Sequence, residues 1–568
     1  MENTNCKALP IGISDFRDIR SNDFCYVDKT YLIQRLIDSQ ARALLFTRPR
    51  RFGKSLALDM LRCFFDCNSQ EENRPLFEGL AVSQSARYMS EQGKYPVISF
   101  NFKTATGNSR EDIEVNMRNA LRDALLPLDY LTQSGALSMR ERSAVDQLLS
   151  SLVNDSSSPR NVIDNISTSL GFICSLLAKH HGQPTVILVD EYDAPLQAAY
   201  LNGFYKPVCD VMRNFFSSAL KDNRHLRLGV ITGVLRIAKE SLFSGLNNLE
   251  VDTILSDDYA DCFGFTQDEI DELAEAYGVT DKLEEISEWY DGYRFGELDI
   301  YNPWSVLQYF KNKCHPQAYW LETSSNDIVK AFLKRLVKSP GNPVVKLYQG
   351  GAVTASVDAS VVYDQLSSAD EDNNTLFSLM AVSGYLKPVE RMRADRYKLV
   401  IPNRESKTIY SQEILSHLEE GLGMGSLAEL GDAIVQGQVQ TFTELLNRYM
   451  AASLSYYDTV EAFYHGWVMG LLLILDSDYY CLSNREAGEG RSDIMLMPRP
   501  GRANPGMVFE LKRSLTVRQM AEKAAEALGQ IEDKDYISAF PPQVTEVVGY
   551  GIAFCRKRCE VVQKVWRR

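Results

Sequence analysis

The feature that most constrains this chain is an alternation across its first 250 residues. Short continuous apolar runs at Ala43–Thr47 (ALLFT), Pro96–Phe102 (PVISFNF), Thr185–Asp190 (TVILVD) and Leu226–Thr232 (LRLGVIT) are separated by helical periodicity at Ser55–Asp66, Arg110–Leu126, Val162–His180 and Pro207–Leu220. A strand that is apolar at successive positions must be covered on both faces. Parallel strands joined by crossover helices supply that cover, so the pattern predicts an α/β fold with a parallel sheet between helical layers.

The rest of the 568 residues changes pattern twice. From about residue 255 to 320 the periodicity is helical, at Thr266–Ala276 and Lys282–Trp289. Residues 321–440 are mixed: a helix at Thr375–Ser383, a hairpin of Tyr385–Val389 with Tyr397–Ile401, and a helix at Ser406–Glu420, together similar to a winged helix. Beyond 440, a helix at Thr459–Leu473 leads to strands at Tyr479–Ser483, Asp493–Met497 and Met507–Lys512, a helix at Val517–Gln530 and a strand at Val547–Cys555, a second α/β unit. Asn154–Pro159 (NDSSSP) reads as a polar loop.

A 45% apolar and 24% charged composition excludes wholesale disorder and coiled coil. The net charge of −14 is not that of a protein that coats nucleic acid, although local basic patches stay open. Eleven scattered cysteines without a Cys-x-x-Cys fit reduced thiols in a cytoplasmic protein. The most apolar stretch, Phe463–Leu475, is shorter than the ~20 residues a membrane helix needs, so no membrane association is expected.

The first strand runs into Arg48-Pro49-Arg50-Arg51-Phe52-Gly53-Lys54-Ser55 and then a helix. This fits the end of a phosphate-binding loop, G-x-x-x-x-G-K-[ST], with Arg48 in place of the first glycine. Gly53 would let backbone N–H groups approach phosphate, Lys54 would reach the β- and γ-phosphates, and the Ser55 hydroxyl would hold Mg2+. A helix start without a ligand is the plain alternative. The apolar strand ending in Asp190-Glu191 weighs against it. That is the Walker B arrangement, in which Asp190 binds the Mg2+ shell and Glu191 polarises the attacking water of ATP hydrolysis. A third strand ends in Thr232-Gly233-Val234, which places Thr232 to contact phosphate or water, with Arg236 close behind. Arg50, Arg51 and Arg236 are candidates to meet the γ-phosphate, in cis or from a neighbouring copy in a homo-oligomer.

These segments, with Leu9-Pro10-Ile11-Gly12, Tyr26-Val27-Asp28-Lys29-Thr30, Val189-Asp190-Glu191-Tyr192-Asp193, Phe243–Asn248 and Tyr290-Asp291-Gly292-Tyr293, resemble the AAA-ATPase-like family over residues 8–310. Its usual phosphate loop has the Arg-Pro-Arg-Arg-Phe-Gly-Lys-Ser form, so within it Arg48 is no departure. The resemblance implies an ATP-binding P-loop NTPase fold with a helical lid.

Near the C-terminal end, Asp493 opens one strand and Glu510 lies seventeen residues on, in Val508-Phe509-Glu510-Leu511-Lys512. Glu510 and Lys512 share one face of a strand. A hairpin would bring Asp493 to them, gathering two metal-binding carboxylates and a cation for metal-assisted phosphodiester hydrolysis. The triplet alone also fits an exposed strand. Its flanks, Ser483–Ile494 and Ala524–Ile531, resemble the PD-(D/E)XK nuclease domain that often trails this ATPase family, with a restriction-endonuclease-like α/β fold. The resemblance makes Asp493, Glu510 and Lys512 the catalytic set, with Glu461 and Gln530 as auxiliaries and Glu461 completing the metal shell. Ser492 stands where the family name has proline.

The expected organisation is thus a P-loop ATPase core at 1–250, a helical lid at 251–320, a mixed middle domain at 321–440 and a nuclease-like domain at 441–568. The expected partner is nucleic acid, DNA before RNA. The basic groups Arg556–Arg558 and Arg567-Arg568 read as a solvated tail or a backbone contact, and Trp289–Tyr293 as core packing or a base-stacking platform. An alternative from another class is a nucleotide-switched interaction protein that binds without cutting.

Overall fold

The computed structural model describes residues 7–154, 158–236, 249–320, 327–337, 343–348, 350–359, 373–393, 395–420, 426–453, 461–475, 478–487, 490–499 and 504–568. Phe243–Asn248, residues 155–157 of the Asn154–Pro159 loop and the Glu461 side chain lie outside them. The chain divides into two compact units, Met1–Ile328 with Thr354–Ser406, and Val329–Val353 with Lys407–Arg568.

The first unit is built on a five-stranded sheet of β1 (Ala43–Thr47), β2 (Val97–Asn101), β3 (Thr185–Asp190), β4 (Leu226–Gly233) and β5 (Leu249–Asp252). Their order is β2-β3-β4-β1-β5, and every pairing is parallel. Every residue of β1 and β3 is buried, as their unbroken apolar runs require. Because β4 lies between β1 and β3, Thr232 and Gly233 at its end separate the loop after β1 from the carboxylates after β3.

Helices begin where polar caps allow. Ser109 with Asp112 and Thr266 with Glu269 form reciprocal capping boxes at the heads of Arg110–Leu125 and Gln267–Ala276. The helix Pro159–His181 is long and apolar enough to cross a bilayer by length and composition, but half of its most apolar window is buried in this fold. Its terminal His180 bonds Ser134 (2.6 Å), and His181 bonds Tyr130 (2.8 Å).

Trp289–Tyr293 resolves as core packing. Tyr290 and Tyr293 are buried, and Tyr290 joins Ile286, Tyr301 and Tyr309 in one apolar cluster. After a two-stranded sheet of β6 (Tyr293–Phe295) and β7 (Leu298–Ile300) comes β8 (Val353–Ser356); the hairpin expected near 385–401 is present as β9 (Lys387–Arg391) with β10 (Arg396–Val400), and β8 extends it to three strands in the order β8-β10-β9.

The second unit carries a mixed sheet in sequential order: β11 (Tyr479–Ala487), β12 (Gly490–Pro498), β13 (Gly506–Arg513), β14 (Glu546–Cys555) and β15 (Arg558–Arg567). Only β13 and β14 are parallel, and the helix Met520–Asp533 is the crossover between them. The basic C-terminal stretch is not a solvated tail. Arg558–Arg567 forms β15, paired along its length with β14, because Cys559 and Val561 supply a buried alternate face that its charges obscure. Cys555 ends β14 and Cys559 lies near the start of β15. The ten cysteines among the described residues are all free thiols.

Candidate active sites

The loop after β1 is held from beneath. The Arg48 side chain is fully buried: it forms an ion pair with Asp252, donates to Tyr259 O (3.2 Å) and packs against the rings of Phe263 and Phe295. Asp252 is nevertheless held above its ordinary pKa, because burial outweighs the guanidinium. Arg48 therefore anchors the loop and does not face its concave side. Arg51 and Gly53 both take left-handed backbone, with φ of 69° and 83°, and the helix Lys54–Phe65 starts directly after. Lys54 is buried, and its ammonium donates to the carbonyls of Arg48 (3.0 Å) and Pro49 (2.8 Å). Burial pushes its pKa down, an effect partly offset by Glu191 and Asp190.

The head of the helix Lys54–Phe65 and the end of β4 meet at Asp190, the last residue of β3. Ser55 Oγ donates to one carboxylate oxygen and Thr232 Oγ1 to the other, each at 2.6 Å. Thr232 is thus committed to orienting Asp190, one step back from where a phosphate contact would need it. Glu191 follows with a φ of 52°. A cavity of about 720 Å3 opens here, within the range of ordinary small-ligand sites. Its lining has two chemistries. Arg50, Lys54, Ser55, Lys103, Asn108 and Glu191 are polar; Pro10, Ile13, Val27, Phe265, Trp304 and Leu307 form an apolar wall. The Arg51 guanidinium lies 4.3 Å from the Trp304 ring centroid, and Arg50 donates to Gln197 (3.2 Å). Arg236 does not line this cavity, and its Nε is buried without a partner among the described residues. Lys103 and the Trp304 wall were not anticipated: a lone lysine past an edge strand and a tryptophan 250 residues downstream carry no motif.

In the second unit the β12–β13 ladder runs from Ile494↔Phe509 to Leu496↔Met507. Just beyond it, carboxylates occupy the fork. Asp493 accepts from Leu511 N (2.8 Å), and the Asp493 amide donates to Glu510 (3.3 Å). Glu510 is buried. Gln530, on the crossover helix, donates its amide nitrogen to Glu510 and accepts from Lys512 Nζ (2.7 Å). Only this amide orientation works, since a carboxylate can only accept and an ammonium can only donate. Tyr536 completes the edge, 3.4 Å from the Gln530 nitrogen, with burial and the two carboxylates raising its pKa.

His465 contacts Asp493 O (3.0 Å) from the helix Glu461–Leu472, a partner that no spacing rule revealed. Asp493, Glu510 and Lys512 thus converge as the hairpin geometry predicts, with Gln530 binding two of them. Among the described residues no group of three or more His, Cys, Asp or Glu side chains is placed to hold a metal ion. The donors at both sites are hard oxygens, carboxylate with hydroxyl at one and paired carboxylates at the other, a chemistry that fits Mg2+.

A parallel sheet with a lysine-bearing loop at its carboxyl edge, followed by a mixed sheet with a carboxylate–lysine fork, defines a two-part chain of nucleotide-binding and nuclease-like architecture. The comparisons agree: residues 10–243 match the family described as "Predicted AAA-ATPase", and residues 459–564 match the "PD-(D/E)XK nuclease superfamily". The chain carries one domain of each family. It is also 28% identical, over 98% of both chains, to "Uncharacterized protein in vnfD 5'region" of Azotobacter chroococcum mcd 1.

Proposed function

We propose that this protein binds and hydrolyses ATP and uses it to control Mg2+-dependent cleavage of nucleic-acid phosphodiesters, with DNA favoured over RNA. The observation that carries the proposal is the second fork: a buried Glu510, Asp493 and Lys512 brought together with Gln530 as the bridge. A buried carboxylate beside a second carboxylate is costly in an ordinary sheet, and it makes chemical sense where charge is to be bound.

In the first unit, Lys54 would exchange two loop carbonyls for the β- and γ-phosphates. Ser55 and Asp190 would hold Mg2+, which when bound would neutralise phosphate charge. Glu191 would accept a proton from the attacking water, and Arg50 and Arg51 would supply positive charge beside the phosphates. The apolar wall suits a nucleobase. In the second unit, Asp493 and Glu510 would hold the divalent ion, and Lys512, held by Gln530, would orient the nucleophile. A homo-oligomer in which a neighbour supplies a further arginine belongs to the same proposal.

The test is a cleavage assay over single- and double-stranded DNA and RNA with and without Mg2+ and ATP. Nicking that needs Mg2+ and is lost in Asp493→Ala and Lys512→Ala is expected. The second reading is nucleotide-switched binding without cleavage. ATP-dependent capture of nucleic acid with no cleavage of any substrate would select it.

A further inference from the structure

We propose that Tyr192 and Asp193 are positioning residues that hold Glu191 in its left-handed backbone and so aim its carboxylate at the nucleotide. The inference rests on the ATP-hydrolysis reading of the first site and deepens it.

Glu191 is neither glycine nor asparagine, yet its φ is 52°. An L-residue keeps that conformation only when its surroundings over-determine it. Both flanks of Glu191 are pinned to one strand end. On the N-terminal side, Asp190 is fixed by Thr232 Oγ1 and Ser55 Oγ. On the C-terminal side, the Tyr192 amide donates to Thr232 O (3.2 Å) and its hydroxyl to Leu235 O (2.6 Å). One oxygen of Asp193 accepts from both Val234 N and Leu235 N, each at 2.9 Å. Tyr192 and Asp193 are buried.

The fit leaves no room for adjustment. A Cβ on Gly233 would lie 2.6 Å from the Tyr192 ring and 2.7 Å from Asp193 Oδ1. The same segment accepts from the phosphate-loop backbone, Arg48 N to Gly233 O (3.1 Å). Residue 191, bridging two fixed points, has no freedom to relax, and it lines the cavity beside Lys54. Neither Tyr192 nor Asp193 lines that cavity, so each acts through Glu191.

The experiment compares Tyr192→Phe, Asp193→Ala and Asp193→Asn in the full chain, measuring phosphate release and the Kd of a fluorescent ATP analogue. Loosened positioning should lower kcat at least about tenfold in the first two, because small misplacements of a catalytic group are costly. Nucleotide Kd should stay within about twofold, since binding does not require Glu191 to be aimed. Asp193→Asn, which keeps an acceptor oxygen, should restore most of kcat. Unchanged kcat in Tyr192→Phe and Asp193→Ala overturns the proposal, as does a parallel loss of kcat and binding. If the wild type binds ATP without releasing phosphate, the hydrolysis reading fails. The clamp is then judged by a crystal structure of Tyr192→Phe: a Glu191 φ that turns negative supports it, and one that stays left-handed overturns it.

Discussion

At the scale of single residues, buried charge decides most of what these sites can do. Arg48 and Asp252 are both almost completely buried and paired to each other. Removing one partner leaves an uncompensated interior charge, so Arg48→Ala should destabilise the first unit by about 3–5 kcal/mol. The Asp252→Ala, Arg48→Ala double variant should lose much less than the sum of the singles, which urea unfolding of the four proteins would measure.

Asp193 gives a pH signature of opposite sense to a salt-bridged carboxylate. Burial and the charge of Glu191 push its pKa up to about 6, while the Leu235 and Val234 amides and Lys54 pull the other way. Between about pH 4 and 6 the folded chain therefore holds a proton that the unfolded chain has released. Its contribution to stability is greatest below pH 4 and is lost as pH rises through 6, by a total of order 3 kcal/mol. Melting temperature followed from pH 4 to 7 should show that decline, and Asp193→Asn should flatten it.

At the scale of elements, close backbone packing sets the geometry of the second fork. Gly551 on β14 lies opposite Glu510 in register. A Cβ there would sit 2.2 Å from Ala524 O and 2.6 Å from Leu528 N, backbone atoms of the helix that carries Gln530. Gly551→Ala must push that helix off the sheet, and overpacking of this kind costs about 1–3 kcal/mol. The expected outcome is a folded protein, by circular dichroism, whose Lys512 and Glu510 are no longer bridged and whose cleavage, where the wild type cuts, falls sharply. An equivalent contact governs the first site. Gly384, with a φ of 87°, would place a Cβ 2.9 Å from Pro49 of the phosphate loop. Gly384→Ala should therefore weaken nucleotide binding without touching a ligand-facing side chain, a shift that titration with an ATP analogue would reveal.

At the scale of the whole molecule, two sites of different architecture occur in one chain, and variants should separate them. Lys54→Ala is expected to abolish nucleotide binding and any nucleotide dependence of cleavage. Asp493→Ala should abolish cleavage and leave ATP turnover within about twofold, as independent sites behave. A steady-state phosphate assay beside a plasmid-nicking assay reads both, and loss of ATP turnover in Asp493→Ala would contradict a two-site protein.

Much of this was legible in the chain. The unbroken apolar runs of β1 and β3 demanded cover on both faces, and the order of Lys54, Ser55 and Asp190 along those strands placed them at one edge. Period-two alternation put Glu510 and Lys512 on one face. Strands were hardest to read where charge masked a buried alternation, as in β15, and side-chain partners were hardest where nothing local specifies them. Thr232 turned to Asp190, Arg236 stayed out of the cavity, and Arg48 went into the core. What the amino-acid order determined by itself was set by short-range rules: side-chain period, caps, and the glycine that permits left-handed backbone at residue 53. Only tertiary structure decided that Gln530 bridges Glu510 to Lys512, that Trp304 walls the cavity, and that Tyr192 and Asp193 grip the end of β4. Those choices belong to packing and hydrogen-bond satisfaction among segments far apart in the chain, where each buried polar group takes the partner that folding brings within reach.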